Sequence, residues 1–427
     1  MAVAANIYLH YIAFFRRTRY ERSTARASYS HFVIFGMNIS SHSFHLAVFF
    51  FQMPCNYTLI FFPRQLFLRY LQKIVANFPK IRYTNFSNPK KGRVFMKTWQ
   101  LISPKNLQRS TAPDLKISEN TAKVKVTKAL LSEADVATYT GALKTAMPLV
   151  LGRFAIGQVT EAGEESFMKK GDRVYLAPTY EDELSPDGLQ TAGQTKDGYF
   201  RDFVLVDENS AYILPPSVSD EAAFLIEAVA LSERIVEEMN ISIGQHVLVL
   251  GGGLYGNVLC QILIYHRAVP ILVDNNQERL TRAKKSGIYY TLPFDETLKD
   301  SITKITGGKN ADGAIYLAFN NRIEPSAVFN FLARDTSVAF CSLMEKSLSV
   351  NLENALRYNI TVKGVTECHD YVSSAINILA NKAVNFSEFP YNSFPEEALP
   401  DKLQEYAQVL SGGGNLPEEM DVFKFVF

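Results

Sequence analysis

Between about Gln245 and Val365 the apolar positions fall into short blocks separated by longer amphipathic or polar stretches. His246-Val-Leu-Val-Leu250 is an apolar, β-rich run of the kind a buried parallel strand needs. It leads directly into Gly251-Gly252-Gly253-Leu254-Tyr255-Gly256, and Asn257–Tyr265 then reads as a helix. A second apolar run, Val269-Pro-Ile-Leu-Val273, predicts the next strand and ends on Asp274. Ala311–Tyr316 reads as the fourth strand of the same unit, Pro325–Ala333 as a helix, and Ser337–Ser342 and Ile360–Val365 as later strands. Alternating strands and helices of this kind predict an α/β fold with a doubly wound parallel sheet. The tail predicts an amphipathic helix over Pro400–Leu410, a turn at Ser411–Gly414 and a last strand over Asp421–Phe427.

The glycine spacing adds chemistry to the pattern. Gly251 permits a tight turn, Gly253 lets the backbone approach a pyrophosphate, and Gly256 lets the helix pack close to the strand. Leu254 and Tyr255 open that helix, whose unpaired N–H groups favour negative charge. Asp274, 18 residues after Gly256, is placed to accept from the adenosine ribose hydroxyls and to repel a 2′-phosphate. Asn275-Asn276-Gln277-Glu278 supplies no cation to offset that repulsion, and Arg279 follows as a further cofactor-side residue. The expected cofactor is therefore NAD rather than NADP. An ordinary βαβ unit with a glycine turn is the plainer alternative. Cys260, inside the helix, reads as packing.

Length and charge change the picture at the N-terminus. The 427 residues suffice for two or three domains, and 47% hydrophobic residues can fill their cores. The net charge of +1 conceals an asymmetry: residues 1–95 hold 13 Lys/Arg against one acid, Glu21, leaving 31 basic and 42 acidic residues for 96–427. The apolar stretch His31–Pro63 is broken by Asn38, Ser40, Ser41, His42, Ser43 and His45, so no clean membrane span is expected. No signal peptide is expected either, since the first apolar run ends in Arg16-Arg17 with no small-residue cleavage site. Lys91–Met96 can be encoded as AAA GGG AGG GTT TTT ATG, which has the layout of a bacterial ribosome-binding site before a start codon. Either residues 1–95 are translated upstream DNA and Met96 is the true start, or they form a real basic extension. Four scattered cysteines (Cys55, Cys260, Cys341, Cys368) without a CxxC pair fit a reducing cytoplasm. No internal repeat, nucleophile elbow or nucleic-acid-binding basic stripe occurs in 96–427, so a small-molecule substrate is the expected partner.

From about Met96 onward the chain resembles the medium-chain dehydrogenase/reductase superfamily, the group of zinc-type alcohol, sorbitol and threonine dehydrogenases. The resemblance is carried, in order, by Asp135–Gly141, Pro148–Gly152, Gly157–Val159, Lys170–Val174, Asp197–Phe203, Glu227 within Ala222–Ala230, the glycine turn, and Asp274 with Arg279-Leu280 and Ala283. It implies a GroES-like, mostly β substrate domain over 96–215, a Rossmann domain over 216–365 and a segment, 366–427, returning to the substrate domain. It also implies a cleft between them, with Leu317–Asn321 facing the cofactor, and a homo-oligomer.

Departures from the family pattern bear on mechanism. Ser132 stands where zinc-dependent relatives carry a cysteine ligand, and Gly152-Arg153-Phe154 where they carry Gly-His-Glu. Glu227 matches the acidic third ligand of sorbitol-type members, and Ala134 replaces the relay serine. Tyr175–Gly198 contains no cysteine, so the structural zinc lobe is missing too. A cationic Arg and a Phe cannot ligate zinc, and no metal is expected. In its place Arg153 is a candidate to hold a developing oxyanion. Tyr139 and Ser132 are candidate hydrogen-bond donors, and Glu227 a candidate base. Two plainer readings stand beside these: Arg153 pairs with Glu227 to fill the vacated metal position, and Tyr139 is packing. The expected function is zinc-independent, NAD(H)-dependent alcohol–carbonyl oxidoreduction on a polyol, sugar or similar polar metabolite. The alternative is a non-catalytic NAD-binding protein.

Overall fold

The computed structural model describes residues 34–36, 47–53 and 56–62 by their backbone, and residues 95–425 except 183–187, 318–322, 342–351, 367, 413 and 415–419. The chain divides into two units, Met1–Pro89 and Lys90–Phe427. In the first, Ile34–Gly36, Ala47–Met53 and Asn56–Phe62 form a three-stranded antiparallel sheet in which Met53 pairs with Asn56. The described parts of its apolar stretch are strands, and no helix among the described residues is long and apolar enough to cross a membrane.

The second unit has two lobes. In the first lobe a three-stranded sheet joins Phe95–Ser103 to Asn106–Pro113 and Leu149–Val150. A larger sheet runs in the order Ala211–Ile213, Arg173–Leu176, Phe154–Ala162, Ala122–Leu130, Met420–Lys424, Tyr391–Pro395. Two of its strands come from the C-terminal tail, and Phe203–Val206 also pairs with Ala122–Leu130. Helix α1 (Glu133–Thr140) follows Ala122–Leu130. Phe423 is fully buried at the centre, edge-on to Phe200 at 6.4 Å and 5.8 Å from Phe394. The tail helix Leu399–Ser411 buries Leu399, Leu403, Tyr406 and Ala407, a helical stripe facing this core.

The second lobe begins with α2 (Ile226–Glu238) and is built on β1 (His246–Leu250), α3 (Leu254–Tyr265), β2 (Val269–Asp274), α4 (Gln277–Lys285), β3 (Tyr290–Pro293), β4 (Ala311–Tyr316), β5 (Leu332–Phe340) and β6 (Thr361–Gly364). All six strands are parallel in the order β3-β2-β1-β4-β5-β6, the doubly wound arrangement. Alternate side chains enter different cores: Leu248, Leu250, Ile271 and Val273 join one cluster, Val247, Val249 and Leu272 the other. Both faces are covered, which is why the strands read as unbroken apolar runs. The second of these clusters also contains Phe154, Ile156 and Tyr175, so it continues into the β lobe.

One element differs from expectation. Pro325 starts a short 3₁₀ turn that ends at Phe331 rather than a helix to Ala333. Leu332 is already extended and pairs with Ala311, so sheet hydrogen bonds take the residues that the helix would have used.

Phe423→Ala should lower stability by about 3–5 kcal/mol, the usual cost of emptying a large buried aromatic site. Denaturant unfolding of the two proteins measures it, and an unchanged midpoint would show that the tail strand is not part of this core.

Candidate active site

The approach to the site begins at Asp135. Ser132 caps α1 with its hydroxyl, while the Asp135 carboxylate accepts from the Ser132 backbone N–H and hydroxyl, at 3.0 and 2.6 Å. The other Asp135 oxygen accepts the Gly152 N–H at 2.9 Å. Burial raises the Asp135 pKa against these hydrogen bonds, which pull it down. Gly152 has φ +102°, and a Cβ there would lie 2.6 Å from the Phe200 backbone nitrogen, so only glycine fits. This clamp fixes the point from which Arg153 leaves the backbone.

Arg153 is 6% exposed, and its Nη2 lies 3.3 Å from Glu227 Oε1. Burial pulls the Arg153 pKa down, but the facing Glu227 and the neighbouring Tyr255 and Asp135 outweigh it and carry it above the ordinary value. Glu227 stands in the first turn of α2, where free N–H groups favour an anion. Its second oxygen accepts the Tyr255 hydroxyl at 2.6 Å. Tyr255 is 37% exposed at the ring, yet its hydroxyl end is crowded: burial and the Glu227 carboxylate hold its pKa well above 10, so it stays protonated. The glycine turn and the β lobe are thus linked through Tyr255, Glu227 and Arg153.

These side chains border a cavity between the lobes lined by Arg153, Tyr175, Thr179, Glu227, Thr366 and His369 among others. Its volume is about 10 Å³, room for roughly one water. At its rim His369 Nε2 lies 3.7 Å from Glu181 and 3.4 Å from Asp370. The two carboxylates are mostly exposed, and ion pairs of that kind contribute little.

The nucleotide turn is built as its glycines require. Gly251 has φ +111° and its N–H donates to Val273 O at 2.9 Å. Gly253 caps α3 through its backbone, without a side-chain bond, leaving the first N–H groups to face a ligand. A Cβ on Gly256 would fall 1.8 Å from Gly251 O. Leu254 packs against the core beside the turn. Asp274 is wholly buried: Oδ2 accepts the Gly252 N–H at 2.6 Å and lies 3.5 Å from Arg279 Nη1, and Oδ1 accepts the Asn276 N–H at 2.7 Å. The turn fits a dinucleotide. At its acidic edge, however, a ribose hydroxyl has to share Asp274 with Arg279.

Of the residues singled out by sequence, the structure brings together Arg153, Glu227 and Tyr255. It does not bring in Ser132 or Tyr139. The Ser132 hydroxyl is consumed by its capping box, and Tyr139 is buried in the β-lobe core, with its hydroxyl 3.4 Å from Lys105 O. Neither lines the cavity. Leu317 is the sole described residue of the 317–321 segment. Cys260 is fully buried on α3, and burial pushes its thiol far up, in keeping with packing.

Residues 118–216 match the model of the alcohol dehydrogenase GroES-like domain, and residues 256–381 that of the zinc-binding dehydrogenase domain. The chain belongs to the medium-chain dehydrogenase/reductase superfamily. Sorbitol dehydrogenase of Halalkalibacterium halodurans is 28% identical over 215 residues, 47% of this chain and 63% of that relative. Sheep (Ovis aries) sorbitol dehydrogenase is 28% identical over 268 residues, 59% of this chain and 76% of the relative. The chain therefore spans between three fifths and four fifths of these two relatives. Among solved structures, a protein described as a short chain alcohol dehydrogenase of Escherichia coli CFT073, complexed with NADH, superposes with TM-score 0.66 at 19% identity, covering 78% of this chain and 99% of that one. Bacillus subtilis 2R,3R-butanediol dehydrogenase gives 0.66 at 19%, with 78% and 100% covered. A Sinorhizobium meliloti dehydrogenase bound to NADP gives 0.65 at 19%, with 78% and 100% covered. The shared fold therefore accommodates either nicotinamide dinucleotide.

The zinc named by the family model can be tested on the donors present. At the Gly-His-Glu position stands a guanidinium, which repels a cation. The Ser132 hydroxyl is committed to Asp135, and Glu227 is shared by Arg153 and Tyr255. This set does not fit a tetrahedral zinc. Arg153→Met should destabilise the protein by about 3–5 kcal/mol by stranding Glu227, and Arg153→Met combined with Glu227→Gln should lose less. Additive losses in that double-mutant cycle would show that the two residues do not interact.

Proposed function

We propose that the protein is a zinc-independent, NAD(H)-dependent oxidoreductase interconverting an alcohol and a carbonyl on a polyol, sugar or similar polar metabolite. The observation that carries this is the Arg153–Glu227 pair at 3.3 Å, in a cavity between a β lobe and a dinucleotide fold. Bound NAD supplies the hydride acceptor or donor. The glycine turn and the start of α3 hold its pyrophosphate. Arg153 offers a cation to the oxygen that gains negative charge as the carbonyl is reduced. Glu227 holds that guanidinium and is itself held by the Tyr255 hydroxyl.

The choice of NAD over NADP rests on Asp274, the carboxylate ending β2, which would repel a 2′-phosphate, and on Arg279, 3.5 Å away, whose charge it already offsets. The polyol class rests on the two sorbitol dehydrogenases, each 28% identical to this chain. A cytoplasmic homo-oligomer completes the reading. Cys260, Cys341 and Cys368 are buried thiols without a disulfide among the described residues, as suits a reducing compartment.

A second reading, a non-catalytic NAD-binding protein, draws on one fact: both Glu227 oxygens are engaged and the cavity admits about one water. Turnover separates the two. A panel of polyols and keto-sugars, followed at the nicotinamide absorbance, should show activity that survives a chelator and is lost in Arg153→Ala. Activity removed by the chelator would contradict zinc independence, and no turnover on any member would favour the second reading. Fluorescence titration should show NADH binding about 100-fold tighter than NADPH, the scale of a several-kcal/mol like-charge penalty. Equal affinities would remove the role given to Asp274.

A further inference from the structure

Tyr175 carries no motif, and its role is visible only in three dimensions. It lies in the strand Arg173–Leu176, paired with Ile156 on one side and Tyr212 on the other, and is 1% exposed. Its phenol lines the cavity that holds Arg153 and Glu227. Its hydroxyl is buried and makes no hydrogen bond among the described residues.

That combination is unusual. A buried hydroxyl with no partner carries its full desolvation penalty, so nearly all such groups in folded proteins are paired with protein or water. Phenylalanine would fill the same volume among Ile156, Phe154 and Leu225 without that penalty. Tyr175, Arg153 and Glu227 line one cavity, and its volume of about 10 Å³ is room for roughly one oxygen atom.

We propose that Tyr175 is the hydrogen-bond donor that holds the reacting oxygen of the substrate, a carbonyl or hydroxyl oxygen, beside Arg153. The proposal rests on the oxidoreductase reading of this site. In the ligand-free protein a water takes the place of that oxygen. On binding, the substrate oxygen displaces it and accepts from the phenol and the guanidinium together. Burial, with the Glu227 carboxylate acting in the same direction, raises the Tyr175 pKa well above its ordinary value and keeps the hydroxyl protonated. Tyr175 therefore donates throughout, and no bond to it forms or breaks.

The test compares the full chain with Tyr175→Phe in three measurements. The variant should melt at the same temperature or higher and should bind NADH as the wild type does, because the lost hydroxyl has no hydrogen-bond partner among the described residues. Binding of isobutyramide, an unreactive carbonyl analogue, to the protein–NADH complex should weaken at least about tenfold, and kcat/KM should fall about 100-fold, the scale seen when one oxyanion donor is removed. Isobutyramide binding unchanged in the variant, or absent in the wild type, overturns the proposal, as does a lowered melting temperature. Turnover that survives Tyr175→Phe but not Arg153→Ala also overturns it and leaves the oxidoreductase reading standing. If the wild type turns over no alcohol or carbonyl but isobutyramide binding still depends on Tyr175, the oxygen site stands and the oxidoreductase reading fails.

Discussion

Two opposite charges buried between two lobes govern this protein's cleft. Arg153 belongs to the β lobe, Glu227 to the first helix of the nucleotide lobe, and each is nearly removed from water. Neither charge is tolerable alone in that environment, so each lobe supplies the group that the other needs. Everything around the pair serves to hold it. Asp135 clamps the Gly152 N–H from behind, the positive-φ glycine turns the chain under Phe200, and Tyr255 brings the dinucleotide turn onto the far oxygen of Glu227. The proposed reading gives these protein charges the place that a metal has in zinc-type dehydrogenases.

The nucleotide turn shows the same economy of parts. Asp274 was chosen from sequence for a ribose contact, and the structure gives it a second duty, tying Gly252 to β2 and meeting Arg279. One carboxylate therefore fixes the loop geometry and sets the charge of the edge that a ribose meets. Gly256 does the converse by having no side chain, letting α3 pass within contact of Gly251 O.

The parts of the fold legible in sequence were those with a strong local reason. β1, β2 and β4 are apolar runs because both sheet faces are covered, and the glycine turn is fixed by sterics at Gly251 and Gly256. Pro325–Ala333 differs because proline at a first helical position is equally compatible with a short 3₁₀ helix, and the sheet takes Leu332. Within the site, Arg153 departs from the family pattern while Glu227 keeps it, and the sequence leaves their pairing and a catalytic role as two open readings. Ser132 and Tyr139 were drawn in by proximity to the same motif, but a hydroxyl three residues before an aspartate caps a helix in preference to facing a cleft. Tyr175 was invisible because nothing in Arg173-Val-Tyr-Leu176 distinguishes a core aromatic from one whose hydroxyl lacks a partner.

The central claim is that a guanidinium–carboxylate pair occupies the position of a catalytic metal. The direct test is metal analysis of the full-length protein purified from cells grown with added zinc, alongside a Glu227→Gln variant. The account predicts no stoichiometric zinc in either protein. One zinc per chain in the wild type, lost in Glu227→Gln, would contradict it and return Glu227 to the role of a metal ligand.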